Sequence, residues 1–166
     1  MYNTYWTNSL SATAQGMIEQ NATWNVGACG YDIAAQAAYT CASSTTWTGK
    51  IGLIASYEYL YAAENDGTCW SQSGYSYDGY GGLTDCKAKD WLYSTVTNSG
   101  SSHAWTLSPT SGKSSDALYV VSDGYVSSSD VGGGNAASPV VFLKSTITIT
   151  GGNGQSGETN SYKLGT

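Results

Sequence analysis

The run Gly152-Asn153-Gly154-Gln155-Ser156-Gly157 has the glycine spacing of a dinucleotide-binding turn and follows a strand-like segment. That chemistry needs a helix N-terminus behind the glycines to hold a phosphate, and an acid about 20 residues further on to hold a ribose. Neither follows, so the run is expected to be a glycine turn at a sheet edge. A hydrolytic triad would have to use His103, the chain's single imidazole, yet no serine sits in a Gly-x-Ser-x-Gly elbow. Glu58, Glu64, Asp66, Asp78, Asp85 and Asp90 supply carboxylates for glycosidase chemistry, but the sequence fixes no separation between any two. Asp66, Asp78 and Asp130 lie in glycine- and serine-rich stretches where calcium would find free carbonyls, without EF-hand spacing. No histidine or cysteine stands at metal-ligand spacing from His103. The expectation is a chain that is not an enzyme and carries neither cofactor nor metal.

Binding chemistry has more support. Ser, Gly, Asp, Asn and Ala fill nearly every position of residues 110–137 outside short apolar runs. Small polar residues with an occasional Tyr form adaptable hydrogen-bonding surfaces with rigid aromatic anchors, as in antibody-like sites. Ordinary solvated hairpin loops have the same composition. Residues 70–80, with Tyr75, Tyr77 and Tyr80, pose the same choice.

At 166 residues the chain suits one domain, and its 11% of charged residues is well below the usual share of about 25%. Six lysines and no arginine stand against twelve acids, a net charge of −6. Nucleic acids and anionic membranes need cations, so neither is an expected partner. No stretch approaches the roughly 18 apolar residues of a membrane span. The opening Met1-Tyr2-Asn3-Thr4-Tyr5-Trp6 lacks the basic region and apolar core of a signal peptide, so a soluble chain without direct membrane contact is expected. Cys29, Cys41, Cys69 and Cys86 contain no Cys-x-x-Cys pair, and disulfides are the better reading. Three pairings are open; Cys29 with Cys41 and Cys69 with Cys86 would close two short loops worth about 2–3 kcal/mol each. The surplus of Tyr, Trp, Ser and Thr over charge also suits a secreted protein.

The elements that must position these residues change character along the chain. Leu10, Ala14, Met17, Ile18 and Trp24 predict an amphipathic helix over residues 9–24, and the alanine-rich residues 33–38 a second, short one. Residues 47–55 read as a buried strand, with Ser56 as N-cap of a helix through Tyr57, Leu60 and Tyr61. Residues 65–82 form an aperiodic loop. A strand from His103 to Leu107 stops at Pro109, and a hairpin joins Leu118–Val121 to Tyr125-Val126 through Ser122-Asp123-Gly124. Pro139-Val140-Val141-Phe142-Leu143 reads as a central strand, and Thr146-Ile147-Thr148-Ile149-Thr150 as a half-buried one. Helices first and antiparallel strands afterwards define an α+β class.

The blocks Gln15–Trp24, Trp47–Ile54, Asp85–Tyr93, Trp105-Thr106-Leu107-Ser108-Pro109, Ser122–Val126 and Ser138–Ser145, in that order, resemble the globular region of type IV pilin-like surface proteins of gut Firmicutes. In that family a hydrophobic pilin helix normally precedes the globular part. The Trp-Leu, Trp-Thr-Leu-Ser-Pro and Pro-Val-Val blocks are also similar to C-type-lectin-like domains, some of them targets of diversity-generating retroelements. The expectation is a single domain 1–166 with a helical, disulfide-stapled part over residues 1–45, and the resemblance implies a C-type-lectin-like part over residues 46–166. It also implies a framework of Trp91, Trp105, Pro109, Gly124, Pro139 and Leu143 presenting a variable face. Ser138 stands where arginine is usual, and the calcium-dependent sugar motifs Glu-Pro-Asn and Trp-Asn-Asp are absent. The expectation is an extracellular or cell-surface head whose Ser111, Ser114, Asp116, Tyr119, Ser127, Ser129, Asp130 and Asn135 bind an extracellular protein or glycan. The alternative is a structural pilin subunit whose partners are other pilus subunits.

Overall fold

A computed structural model describes residues 2–27, 45–62, 88–98, 100, 102–110, 112–153 and 160–165. The four cysteines, Ser111, the helix expected over 33–38 and the loop expected over 65–82 lie outside the described residues. Among those described, short helices accompany mainly antiparallel strands, gathered into two units that each draw on distant parts of the sequence. One unit comprises Met1–Ala22, Thr48–Ile51 and Val141–Thr166, the other Thr23–Trp47 and Gly52–Val140. No described helix is long and apolar enough to cross a membrane.

The expected helix over 9–24 is replaced by three elements: α1 (Tyr2–Ser9), α2 (Ala12–Met17) and β1 (Ala22–Asn25). Ser11 starts α2, its hydroxyl accepting the Ala14 N–H at 3.1 Å. The Gln15 amide donates to the Trp6 and Leu10 carbonyls, each at 2.9 Å, and fixes the corner between the helices. Ile18 leaves the helix in extended conformation, and its buried side chain faces Leu143 across a β-bridge. The Glu19 carboxylate then takes the Asn21 N–H at 3.0 Å and turns the chain into β1. Apolar residues that could line a helical face are thus satisfied by strand pairing, with Ala22 and Trp24 alternating inward.

β9 (Thr148–Gly151) pairs antiparallel with β10 (Lys163–Gly165), but Ile149 is 61% exposed. Its alternation with threonine reflects β-propensity and not the half-buried face expected. Gly152 follows at φ +83°, where any side chain would strike the Ser161 carbonyl, and residues 154–157 of the glycine-rich run lie outside the described residues.

The strand expected over 47–55 is two strands, β2 (Thr46–Gly49), which pairs with β1, and β3 (Gly52–Leu53), which pairs with β8 (Pro139–Val140). The 139–143 run is therefore no central strand: β8 has two residues, and Phe142 and Leu143 are exposed. Proline at its start lacks the N–H that an interior strand must donate. In the second unit β4 (Ala104–Pro109), β5 (Asp116–Val120), β6 (Val126–Asp130) and β7 (Ala136–Ala137) form one sheet in the order β6-β5-β4-β7. All its pairings are antiparallel except β4 with β7. The expected hairpin is present: Val121 N–H donates to Tyr125, Gly124 N–H donates to Val121, and Gly124 takes φ +95°, which a side chain would strain.

Ala104, Leu118, Val120 and Val126 form the inner face of this sheet and pack on Ile54, Tyr59, Leu60 and Val96. Tyr59 and Leu60 come from α3 (Ser56–Tyr61), whose N-cap is Ala55 and not Ser56. Glu58 accepts the Ala55 N–H at 2.9 Å, while buried Ser56 donates its N–H to Ser108 Oγ at 3.0 Å. α4 (Tyr93–Val96) contributes Val96, and the Ser138 hydroxyl donates to the Val96 carbonyl.

Asp90 is 5% exposed at the entrance to α4, with Oδ1 accepting the Leu92 N–H at 2.9 Å and the Tyr59 hydroxyl beside the carboxyl group. Burial raises its pKa from 3.8 to about 7, opposed by the N–H groups of Leu92 and Tyr93 and the Tyr59 hydroxyl. The folded chain therefore holds this proton more tightly than the unfolded chain, and stability falls as pH rises between these two values. The loss is complete above pH 7 and amounts to at most roughly 4 kcal/mol, from about three pH units. Urea unfolding should show stability declining from pH 4 to pH 8, and Asp90→Asn should flatten that decline. An unchanged slope in the variant would assign it to other groups.

Candidate functional site

The alternation that buries Ala104, Leu118 and Val120 turns the residues between them to the opposite face. Ala137 pairs with Trp105, Trp105 with Tyr119, and Tyr119 with Ser127, so one row crosses all four strands. Beside it, Ala117 pairs with Ser129. Trp105, Tyr119, Ser127 and Ser129 are all half-buried.

Three rings form a continuous aromatic strip. Tyr119 lies edge-on to Trp105 (5.7 Å between centroids, 74°) and to His103 (5.7 Å, 69°). His103 is exposed, and its Nδ1 accepts the Ser122 N–H at 2.9 Å. An accepting Nδ1 places the proton of the neutral ring on Nε2, which is left as an outward donor.

A glycine-rich connection crosses this face. β6 and β7 lie at opposite edges of the sheet and run in the same direction, with residues 131–135 between them. A Cβ on Gly133 would sit 3.7 Å from Trp105 Cζ2 and 3.9 Å from Ser129 Oγ, which places the strap against the outer face. Its start is fixed by Asp130, whose Oδ1 accepts the Gly132 N–H at 2.8 Å and whose carbonyl accepts the Gly133 N–H. Its end is fixed by the Ala136 N–H donating to the His103 carbonyl at 2.8 Å.

Of the residues expected to bind, Tyr119, Ser127 and Ser129 come together on this face, and half-buried Asn135 lies in the strap. Asp116 and Asp130 pair at the far end of the hairpin and hold turns. Asp116 receives Lys113 Nζ at 3.2 Å and the Ser115 hydroxyl at 3.1 Å. Ser114 is exposed in the turn before β5. Of the framework residues, Gly124 is buried in the hairpin turn, Pro109 is half-buried at the end of β4, Pro139 is exposed in β8, and Trp91 is 68% exposed. Leu143 faces Ile18. Trp105, expected as framework, joins the face itself, as does His103. Strand alternation from Ala104 together with the hairpin register contains the signal for both. No three His, Cys, Asp or Glu side chains come together among the described residues.

Comparison with protein-family models, curated proteins and solved structures finds no match.

The side chains of Ser127 and Ser129 support no hydrogen bond among the described residues, whereas the His103 ring holds the hairpin tip. Ser127→Ala and Ser129→Ala should each change the unfolding free energy by less than about 0.5 kcal/mol. His103→Ala should cost about 1 kcal/mol. Chemical denaturation compares them, and an equal cost in all three would make the serines structural.

Proposed function

We propose that this chain is the ligand-binding head of a surface-displayed, pilin-like protein, non-enzymatic and C-type-lectin-like in architecture. The observation that carries the reading is the outer face of the β6-β5-β4-β7 sheet, where Tyr119, Ser127 and Ser129 stand in register beside Trp105 and His103. Rigid aromatic area next to small hydroxyls is the composition of adaptable recognition sites. The acidic, arginine-free chain suits an extracellular protein or glycan ligand better than a nucleic acid.

A second reading is a structural subunit whose globular part only builds a filament. It draws on the exposed apolar side chains of the first unit, Phe142, Leu143, Ile149, Tyr162 and Leu164.

The combined variant Tyr119→Phe, Ser127→Ala, Ser129→Ala, Asn135→Ala separates the two readings. On a panel of purified extracellular proteins and glycans, the parent chain should be retained on at least one member. The variant should bind that member at least tenfold less, with its thermal midpoint within about 3 °C of the parent. Retention unaffected by the four changes would remove the face from recognition. Sequencing the gene across its source population should place substitutions in residues 110–137 while Trp105, Pro109, Gly124 and Pro139 stay constant. A uniform sequence would leave a fixed adhesin or a filament subunit.

A further inference from the structure

We infer that the strap-crossed face around Trp105 and Tyr119 binds a neutral saccharide, an inference that rests on the ligand-binding reading above. The argument begins from the face's charge. No Lys or Arg lies on the sheet rows that form it, and Lys113, beyond the far end of the hairpin, is engaged with Asp116. An anionic ligand would lack the cation it needs. No carboxylate stands on the rows that carry the rings and hydroxyls, and Asp130, paired with Asp116 at the far end of the hairpin, holds the Gly132 N–H, so a cationic ligand would find rings without an acid in register beside them.

What the face offers is apolar ring area edged by groups that both donate and accept. Among the described residues the hydroxyls of Tyr119, Ser127 and Ser129 have no hydrogen-bond partner, and His103 Nε2–H is a donor held in place by the Ser122 amide. A purely apolar ligand would leave those groups unmet on desolvation, at a cost in affinity. A pyranose presents one face of C–H groups to an aromatic ring and a rim of hydroxyls in its own plane. Its donors and acceptors match the rim of this site, and its apolar face matches the strip of three rings.

The strap provides a way to close the site without touching the residues that would bind. At Gly133 an added Cβ would crowd the Asp130 carbonyl at 3.2 Å and touch Trp105 and Ser129 at 3.7 and 3.9 Å, so a larger side chain there would occupy the face, whereas at Gly134 nothing lies within 4 Å of an added Cβ. The two glycines are neighbours in the same connection, so the second controls for any general effect on the loop.

The test is a printed array of neutral hexose and N-acetylhexosamine oligosaccharides with their sialylated and sulfated counterparts, alongside a set of purified extracellular proteins. The intact chain should be retained on neutral members and no better on the charged counterparts. Gly133→Val should lower that signal at least tenfold, and Gly134→Val should leave it within twofold. Tyr119→Leu, which keeps apolar volume and removes the ring, should also lose binding and stands in if Gly133→Val does not fold, as judged by its melting curve. Gly133-sensitive binding to a protein, or to charged glycans alone, would overturn the saccharide inference and leave the recognition face standing. Binding to nothing that Gly133→Val and Tyr119→Leu weaken would overturn both.

Discussion

The outer face exists only in the register that the 122–124 turn imposes on β5 and β6. Three side chains clip that turn: Tyr59 donates its hydroxyl to the Gly124 carbonyl at 2.9 Å, Tyr93 donates to the Ser122 carbonyl at 2.8 Å, and His103 accepts the Ser122 N–H. They come from α3, α4 and the approach to β4, so helices and sheet agree on a single position for the tip. A slip of one residue would send Tyr119 and Ser127 inward and Leu118 and Val126 outward. Burying Leu118 and Val120 and displaying Tyr119 are one event.

A chain with 11% charged residues makes such clips from hydroxyls. Thr106 donates to the Leu118 carbonyl at 2.8 Å, Ser108 Oγ accepts from Ser56, and Ser138 donates to the Val96 carbonyl. Each exchanges a bond to water for one to the backbone, a net gain of about 1 kcal/mol or less, and serves geometry more than stability. Asp90 is the exception: a carboxyl group in the same interior keeps its proton to near neutrality because burial outweighs the hydrogen bonds that favour its charge.

What the sequence made legible follows from which signals are local. The hairpin at 118–126 and the strand ending at Pro109 were readable because turn chemistry and proline act within a few residues. Residues 9–24 were misread as one helix because their apolar spacing fits a helical face, while the decision was made at Ile18 by pairing with Leu143, 125 positions away. The 139–143 and 146–150 runs misled in the opposite direction: apolar or alternating character says which residues tolerate a strand, not whether anything covers them. The site was half legible. Tyr119, Ser127 and Ser129 follow from the hairpin, but bringing Trp105 opposite Tyr119 needs β4 as a neighbour, which no local pattern specifies.

The strap explains why glycine and small residues dominate 131–135. β6 and β7 are three strand spacings apart, about 14 Å, and the chain must also return about 13 Å along the sheet to bring Ala136 level with Val126. Six steps from Asp130 to Ala136 reach at most roughly 20 Å, so the path has little slack and runs close over the rings. Large side chains on its inner side would collide with Trp105 or force the loop away. The resulting division of labour favours recognition. Asp116, Asp130 and His103 are committed to holding turns, and their loss would loosen the frame. Ser127, Ser129 and Asn135 hold nothing in place among the described residues. Residues free of structural duty, set on a frame pinned by others, can change identity without unfolding the protein, and a surface that must fit a ligand needs that freedom.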